Sequence, residues 1–307
     1  MKYLSTLFIV LCSIILVNAN LYGIWDQNGE ANFGQVDTSS GDVTMKLQFP
    51  SFNNWIPSNS AMNNFTSSFT FVLNYPTTNS KFLVTVNVAT NKVIYFADIA
   101  PGATPYGLKY DSDVNSLKCV LAGAQNNTWM VGEMDPASAS YDVYDTVQGV
   151  YISSGLSPYN HSYFFVYGSL GASSISMNSY DTRSGQLQDS VELSFPSNFI
   201  GGPFNLLYVP SMDILIGAAK FSDAANNVGD DYVQIDIATG AVKPLGVFRP
   251  QMAATIVSHA AHQDVIYANV NFAGDNLNFV ALDLQTMVLT SEVEVANILS
   301  MGYFTNV

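Results

Sequence analysis

Ile235-Asp236-Ile237-Ala238-Thr239-Gly240 ends one alternating apolar strand and turns the chain toward the next. An aspartate at the head of such a turn can bond the backbone N–H groups that follow, and the glycine at its tail tolerates the conformation that reverses the chain. The same grammar recurs at Val36-Asp37-Thr38-Ser39-Ser40-Gly41, Val86-Asn87-Val88-Ala89-Thr90-Asn91 and Met134-Asp135-Pro136-Ala137-Ser138. It appears again at Tyr180-Asp181-Thr182-Arg183-Ser184-Gly185 and Leu282-Asp283-Leu284-Gln285-Thr286. The anchors at 37, 87, 135, 181, 236 and 283 are separated by 50, 48, 46, 55 and 47 residues. Self-similarity at one period marks a repeat architecture.

A second signature shares that period. Two apolar strands joined by a short polar turn occur around Tyr110, Tyr159, Tyr208 and Ser258, spaced 49, 49 and 50 residues apart. Each unit therefore holds four short strands, A to D, with a hairpin at A–B and the Asp/Thr/Gly turn at C–D. Runs rich in Val, Ile, Tyr and Phe, punctuated by Gly, Pro, Asn and Asp, are what an antiparallel meander requires. One such sheet cannot bury both of its faces, so the units must stack, and closing them radially makes a propeller.

Projecting the period past Ser258 puts another strand A at about Met301 to Val307, where the sequence ends. The missing strands B, C and D of that unit are Leu21 to Trp25, Ala31 to Val36 and Val43 to Phe49, so one blade is expected to draw on both ends of the chain. Seven blades would need units of about 41 residues, shorter than any spacing seen. The expected fold is all-β: one domain over 20–307, a six-bladed β-propeller of four-stranded antiparallel blades, the first closed by the C-terminal strand.

The turn resembles that of the secreted or periplasmic propellers with YVTN and quinoprotein-like repeats. Asp236-Ile237-Ala238-Thr239-Gly240 matches its Asp-x-x-Thr-Gly pattern in full, and the other units match in part. The resemblance rests on turn chemistry and period, so it implies a fold and carries no active-site motif.

Lys2, the apolar run Leu4 to Val17 and the small residue Ala19 read as a signal peptide over 1–19, with a retained anchor as the alternative. A secreted product is expected, or one in an endosomal or lysosomal lumen, with no membrane span after cleavage. Three Asn-x-Ser/Thr acceptors, at Asn64, Asn126 and Asn160, suit a glycoprotein of that compartment. Cys12 lies in the leader and Cys119 in an apolar strand pattern, so the core must hold without disulfides. With 24 acidic against 10 basic residues and a formal net charge of −14, nucleic acid and anionic membrane are poor partners. A monomer is expected.

In a propeller the B–C loops and D–A connections share one face, where ligand sites usually lie. On that face Trp25, Asp26, Trp55, Tyr75, Tyr106 and Arg249 could form a glycan, peptide or protein site, with rings stacking on apolar surfaces and polar groups reading hydroxyls. Asp223, Asp230 and Asp231 in the loop Ser222 to Asp231 could hold calcium, the one cofactor the sequence offers; a solvated acidic loop is the plainer reading. Asp111-Ser112-Asp113-Val114-Asn115-Ser116 begins like a calcium loop but lacks its central Gly and terminal Glu. On the opposite face, His259 and His262 have a metal-like spacing without a third ligand, and His161 completes the histidines, so no strong Ser-His-Asp candidate exists.

The leading expectation is a secreted binding module for a glycan, peptide or protein, with no catalytic residue assigned. The rival is a calcium-dependent hydrolase or lactonase of the six-bladed class, with Glu30, Asn54 and Asp230 as its convergent groups.

Overall fold

The computed structural model describes residues 20–304, except 55–58, 124, 171–173, 249, 263, 273–276 and 295–297. Residues 1–19, where a signal peptide is expected, and 305–307 fall outside the described residues. Six antiparallel sheets follow one another along the chain. Blade 1 runs Ile298–Phe304 (A), Asn20–Gln27 (B), Glu30–Val36 (C) and Val43–Phe49 (D). Blade 2 is Ser60–Asn63, Ser68–Tyr75, Ser80–Asn87 and Lys92–Asp98, with Asn53–Asn54 as an extra short partner of strand B. Blade 3 is Pro105–Asp111, Ser116–Ala122, Thr128–Met134 and Tyr141–Gln148, and blade 4 is Val150–Ser157, Ser162–Gly168, Ile175–Asp181 and Leu187–Glu192. Blade 5 is Phe199–Val209, Ile214–Ser222, Val228–Ile235 and Val242–Pro244, and blade 6 is Thr255–His262, Val265–Asn271, Leu277–Asp283 and Val288–Glu294.

Blade stacking explains why the strands differ in composition. Strands B and C are covered on both faces, so alternation gives way to continuous burial, as in Phe69, Thr70, Phe71, Val72 and Leu73, each at 0% exposure. Strand D is the outer edge and stays largely exposed, as in the run of Leu187–Glu192. A β-bulge recurs in strand D of five blades, leaving Lys46, Ile94, Tyr144, Gln188 and Thr290 out of register with strand C. Each bulge sharpens the twist and blunts an open edge.

The ring closes where the sequence predicts, with one adjustment. Strand A of blade 1 begins at Ile298, three residues ahead of the projected start, and pairs from Asn20↔Phe304 to Trp25↔Ile298. Burial sets that register: Ile298 and Met301 enter the cluster of Leu21, Val36, Ala260 and Phe279.

The C–D turns have the anticipated chemistry. Asp37 Oδ1 accepts from the Ser39 and Ser40 amides, Asp236 Oδ1 from Ala238 and Thr239, and Asp283 Oδ1 from Gln285 and Thr286. Asn87 does the same for Thr90 in blade 2. The turn closes on a left-handed residue, at Gly41, Asn91, Ala139, Gly185, Gly240 and Met287 in the six blades. Polar staples join neighbouring blades on this side: Asn63 donates to Asn115, Thr182 to Asp111, and Ser211 to Asp264. In blade 3, Lys118 is buried against Glu133 at 2.7 Å and Tyr144, an ion pair held by three strands of one sheet. Burial pushes the Cys119 thiol far up, which suits an inert core group.

Candidate channel site

The six A strands surround the central channel, and a cavity of about 260 Å³ opens there on the A–B side. All six blades contribute to its wall: Met301, Ser60 to Met62, Lys109 with Tyr110, Leu156, Asn205 to Tyr208, and His259 to Ala261. Turn residues Asn64, Ser112 and Pro158 form its rim. Exposed Tyr159 lies 6.2 Å from Tyr208, ring to ring, and extends that rim.

His259 and His262 lie on a strand, not on a turn, and an offset of three puts their side chains on opposite faces of it. His259 is fully engaged. Its Nε2 donates to the Asn205 carbonyl, and its Nδ1, 3.2 Å from the Tyr232 hydroxyl, is left to accept. Burial first, and the nearby Lys109 second, bring its pKa down to about 4, so it stays neutral at ordinary pH. Lys109 is different. Burial lowers it to about 8, and among the described residues no acceptor or carboxylate pairs with it. No described residue of the wall is an acid.

At the edge of blades 3 and 4, Asp111, Asp113 and His161 bring three ligand atoms within 4.8 Å of one another. Hydrogen bonds already use the Asp111 and His161 atoms. Asp111 is fully buried, takes the Thr182 hydroxyl, and lies 3.3 Å from His161 Nδ1. Arg183 donates to His161 Nε2 at 2.5 Å. A guanidinium capping the imidazole leaves no lone pair for a cation and repels one. The calcium-like run from Asp111 folds as a hairpin turn, with the Asp113 amide donating to Asp111 Oδ1.

The other candidates are dispersed. Trp25 is 3% exposed. Tyr106 packs between Trp129 and Tyr151, and Tyr75 against Phe52 at 5.4 Å. Asp26 is exposed, while Trp55 and Arg249 lie outside the described residues. The three loop aspartates serve separate neighbours. Asp223 accepts from Ala225 and Asn227, Asp230 from Ile256, and Asp231 from the Gly246, Val247 and Phe248 amides. Glu30 accepts from Gln48 in its own blade, on the far side of the chain order from Asp230. The sequon residues Asn126 and Asn160 are exposed, and Asn64 is half-buried at the channel rim.

Lys109 was not singled out from the sequence. On paper it is one lysine in an alternating strand, and only ring closure places it opposite His259.

Six four-stranded blades around a channel, closed by a blade drawn from both ends of the chain, define a six-bladed β-propeller. No family model and no curated protein matches the sequence. Solved structures do match the fold. TolB from Acinetobacter baumannii superposes with a TM-score of 0.60 at 12% identity over 93% of this chain, which spans 66% of the TolB chain. A protein from Lactobacillus plantarum gives 0.57 at 15% identity, covering 93% of this chain and 99% of that one. An oligogalacturonate lyase from Vibrio parahaemolyticus gives 0.57 at 10% identity, covering 89% and 73%. Identities this low show a shared architecture and nothing of its use.

Proposed function

We propose that this protein is a secreted binding module that takes the end of a glycan into its central channel from the A–B side. The cavity wall carries the reading: it offers hydroxyl, amide and phenol groups from blades 2, 3 and 5 beside apolar Leu156, Leu206 and Met301. Sugars present that mixture of hydroxyls and apolar ring faces. The volume, about 260 Å³, suits a small ligand rather than a folded partner. The leader over 1–19 and the three sequons agree with an extracellular setting. Among the described residues no pair of carboxylates faces the cavity, so the acid–base pair of a glycoside hydrolase has no candidate there.

A glycan array probed with purified wild-type protein and with channel-filled Ser112→Trp and Ala261→Trp proteins tests this. Retention of one glycan class by the wild type, lost in both variants with melting temperatures preserved, is the expected result. Equal retention by the variants, or no retained glycan, would overturn it.

A further inference from the structure

We infer that the channel is an anion site in which Lys109 pairs with a carboxylate of the ligand, so that the glycan it takes is an acidic one. The inference rests on the channel-binding reading and adds the ligand's charge. A half-buried ammonium without a partner among the described residues is an uncompensated charge in a partly desolvated wall. Elsewhere in this acidic chain the inward-facing lysine is paired: Lys118 has Glu133 at 2.7 Å. Half-buried Lys220 lies 3.6 Å from Asp230. At Lys109 no described residue supplies a carboxylate, and the cavity beside it leaves room for one to arrive with a ligand.

His259 cannot share that role as a cation, because its two ring nitrogens already serve Asn205 and Tyr232. It remains a rigid neutral wall opposite the ammonium. Asn205 lines the wall beside the incoming group, while the Tyr110 and Tyr208 hydroxyls, which already donate to Asn115 and Asp213, flank it as acceptors. The titratable groups that line the cavity with Lys109 are His259 of blade 6, Tyr110 of its own strand and Tyr208 of blade 5.

The test compares galacturonate with galactose, which differ at one carboxylate, and adds acetate as the bare anion. Binding is read by calorimetry on the full mature chain, and the Lys109 titration by NMR of the ¹³C-methylated lysines, assigned with Lys109→Met. Galacturonate should bind at least about tenfold tighter than galactose. That preference should vanish in Lys109→Met and survive in Lys109→Arg. Acetate should raise the Lys109 titration midpoint, and galacturonate affinity should fall as the pH rises through about 8. Equal binding of the two sugars, or galacturonate binding unchanged in Lys109→Met, would sink the anion site while leaving the glycan reading intact. Acetate shifting Lys109 with neither sugar bound would support the anion site and count against the glycan. No shift with any carboxylate would overturn the inference.

Discussion

Ser258 of blade 6 donates its hydroxyl to the Ile298 carbonyl at 2.5 Å, fastening the last complete blade to the strand that closes the ring. Ile298 is itself 0% exposed and packs in the cluster at that seam. The ring is therefore held by side-chain burial as well as by the ladder with Asn20–Gln27. Ile298→Ala should cost about 3 kcal/mol, as cavity-forming core substitutions do. Denaturant melts read by Trp fluorescence check this. A loss under about 1 kcal/mol would mean that the ladder alone secures the seam.

Asp231 is 5% exposed and accepts three backbone N–H groups, from Gly246, Val247 and Phe248. Asp231→Ala would leave three donors without their acceptor, the Phe248 amide in the interior and the other two nearer the surface, at about 1–3 kcal/mol for each one kept from water. The expected loss is about 3 kcal/mol or more by chemical denaturation. Added calcium should leave the wild-type melting temperature unchanged, because the oxygens of Asp231 already have partners. A calcium-dependent rise lost in Asp231→Ala would restore the metal reading of this loop.

Gly240 and Ala139 hold the same place in the C–D turns of blades 5 and 3, both with a left-handed backbone at φ of 71° and 55°. A Cβ at Gly240 would sit 2.2 Å from the Glu192 carbonyl oxygen, so Gly240→Ala meets both a clash and a disfavoured conformation. Ala139 already carries the conformational cost, and Ala139→Gly should stabilise by about 1 kcal/mol. The pair should move the melting temperature in opposite directions. Matching signs would refute the equivalence of the two turns.

Turn hydrogen bonds hold several carboxylates below their ordinary range. Asp37 comes down to about 2, chiefly through the Ser39 side chain and then its amide. Asp135, Asp181, Asp236 and Asp283 move the same way through Ser138, Ser184, Thr239 and Thr286. A depressed carboxylate contributes stability that is present above its unfolded pKa, 3.8, and is lost as the pH falls toward about 2. Stability should therefore drop between about pH 4 and pH 2. Replacing all five by Asn, the residue blade 2 uses at position 87, should keep the fold near pH 7 and flatten that acid limb in thermal melts. An unchanged acid limb would place its origin elsewhere.

The period, the four-strand unit, the blade count and the two-ended closure are legible in the sequence because they rest on local chemistry. An Asp and a Gly four residues apart bond within their own turn, and strand alternation needs no distant partner to be recognised. The register at the seam is less local: Ile298 and Met301 compete with Leu21, Val36 and Ala260 for one interior, and the start of the closing strand moves by three residues. The fate of the aromatics was open for the same reason. Trp25 and Tyr106 could have faced a ligand; blade packing buries Trp25 and holds Tyr106 half-buried against Trp129. The candidate site depends wholly on closure. Lys109 and His259 are 150 positions apart in the sequence, and their proximity, like the lack of a described carboxylate beside Lys109, exists only once six separate A strands are drawn to one axis. Strand and turn propensities act over a few residues, whereas an electrostatic environment is a sum over everything that burial brings near.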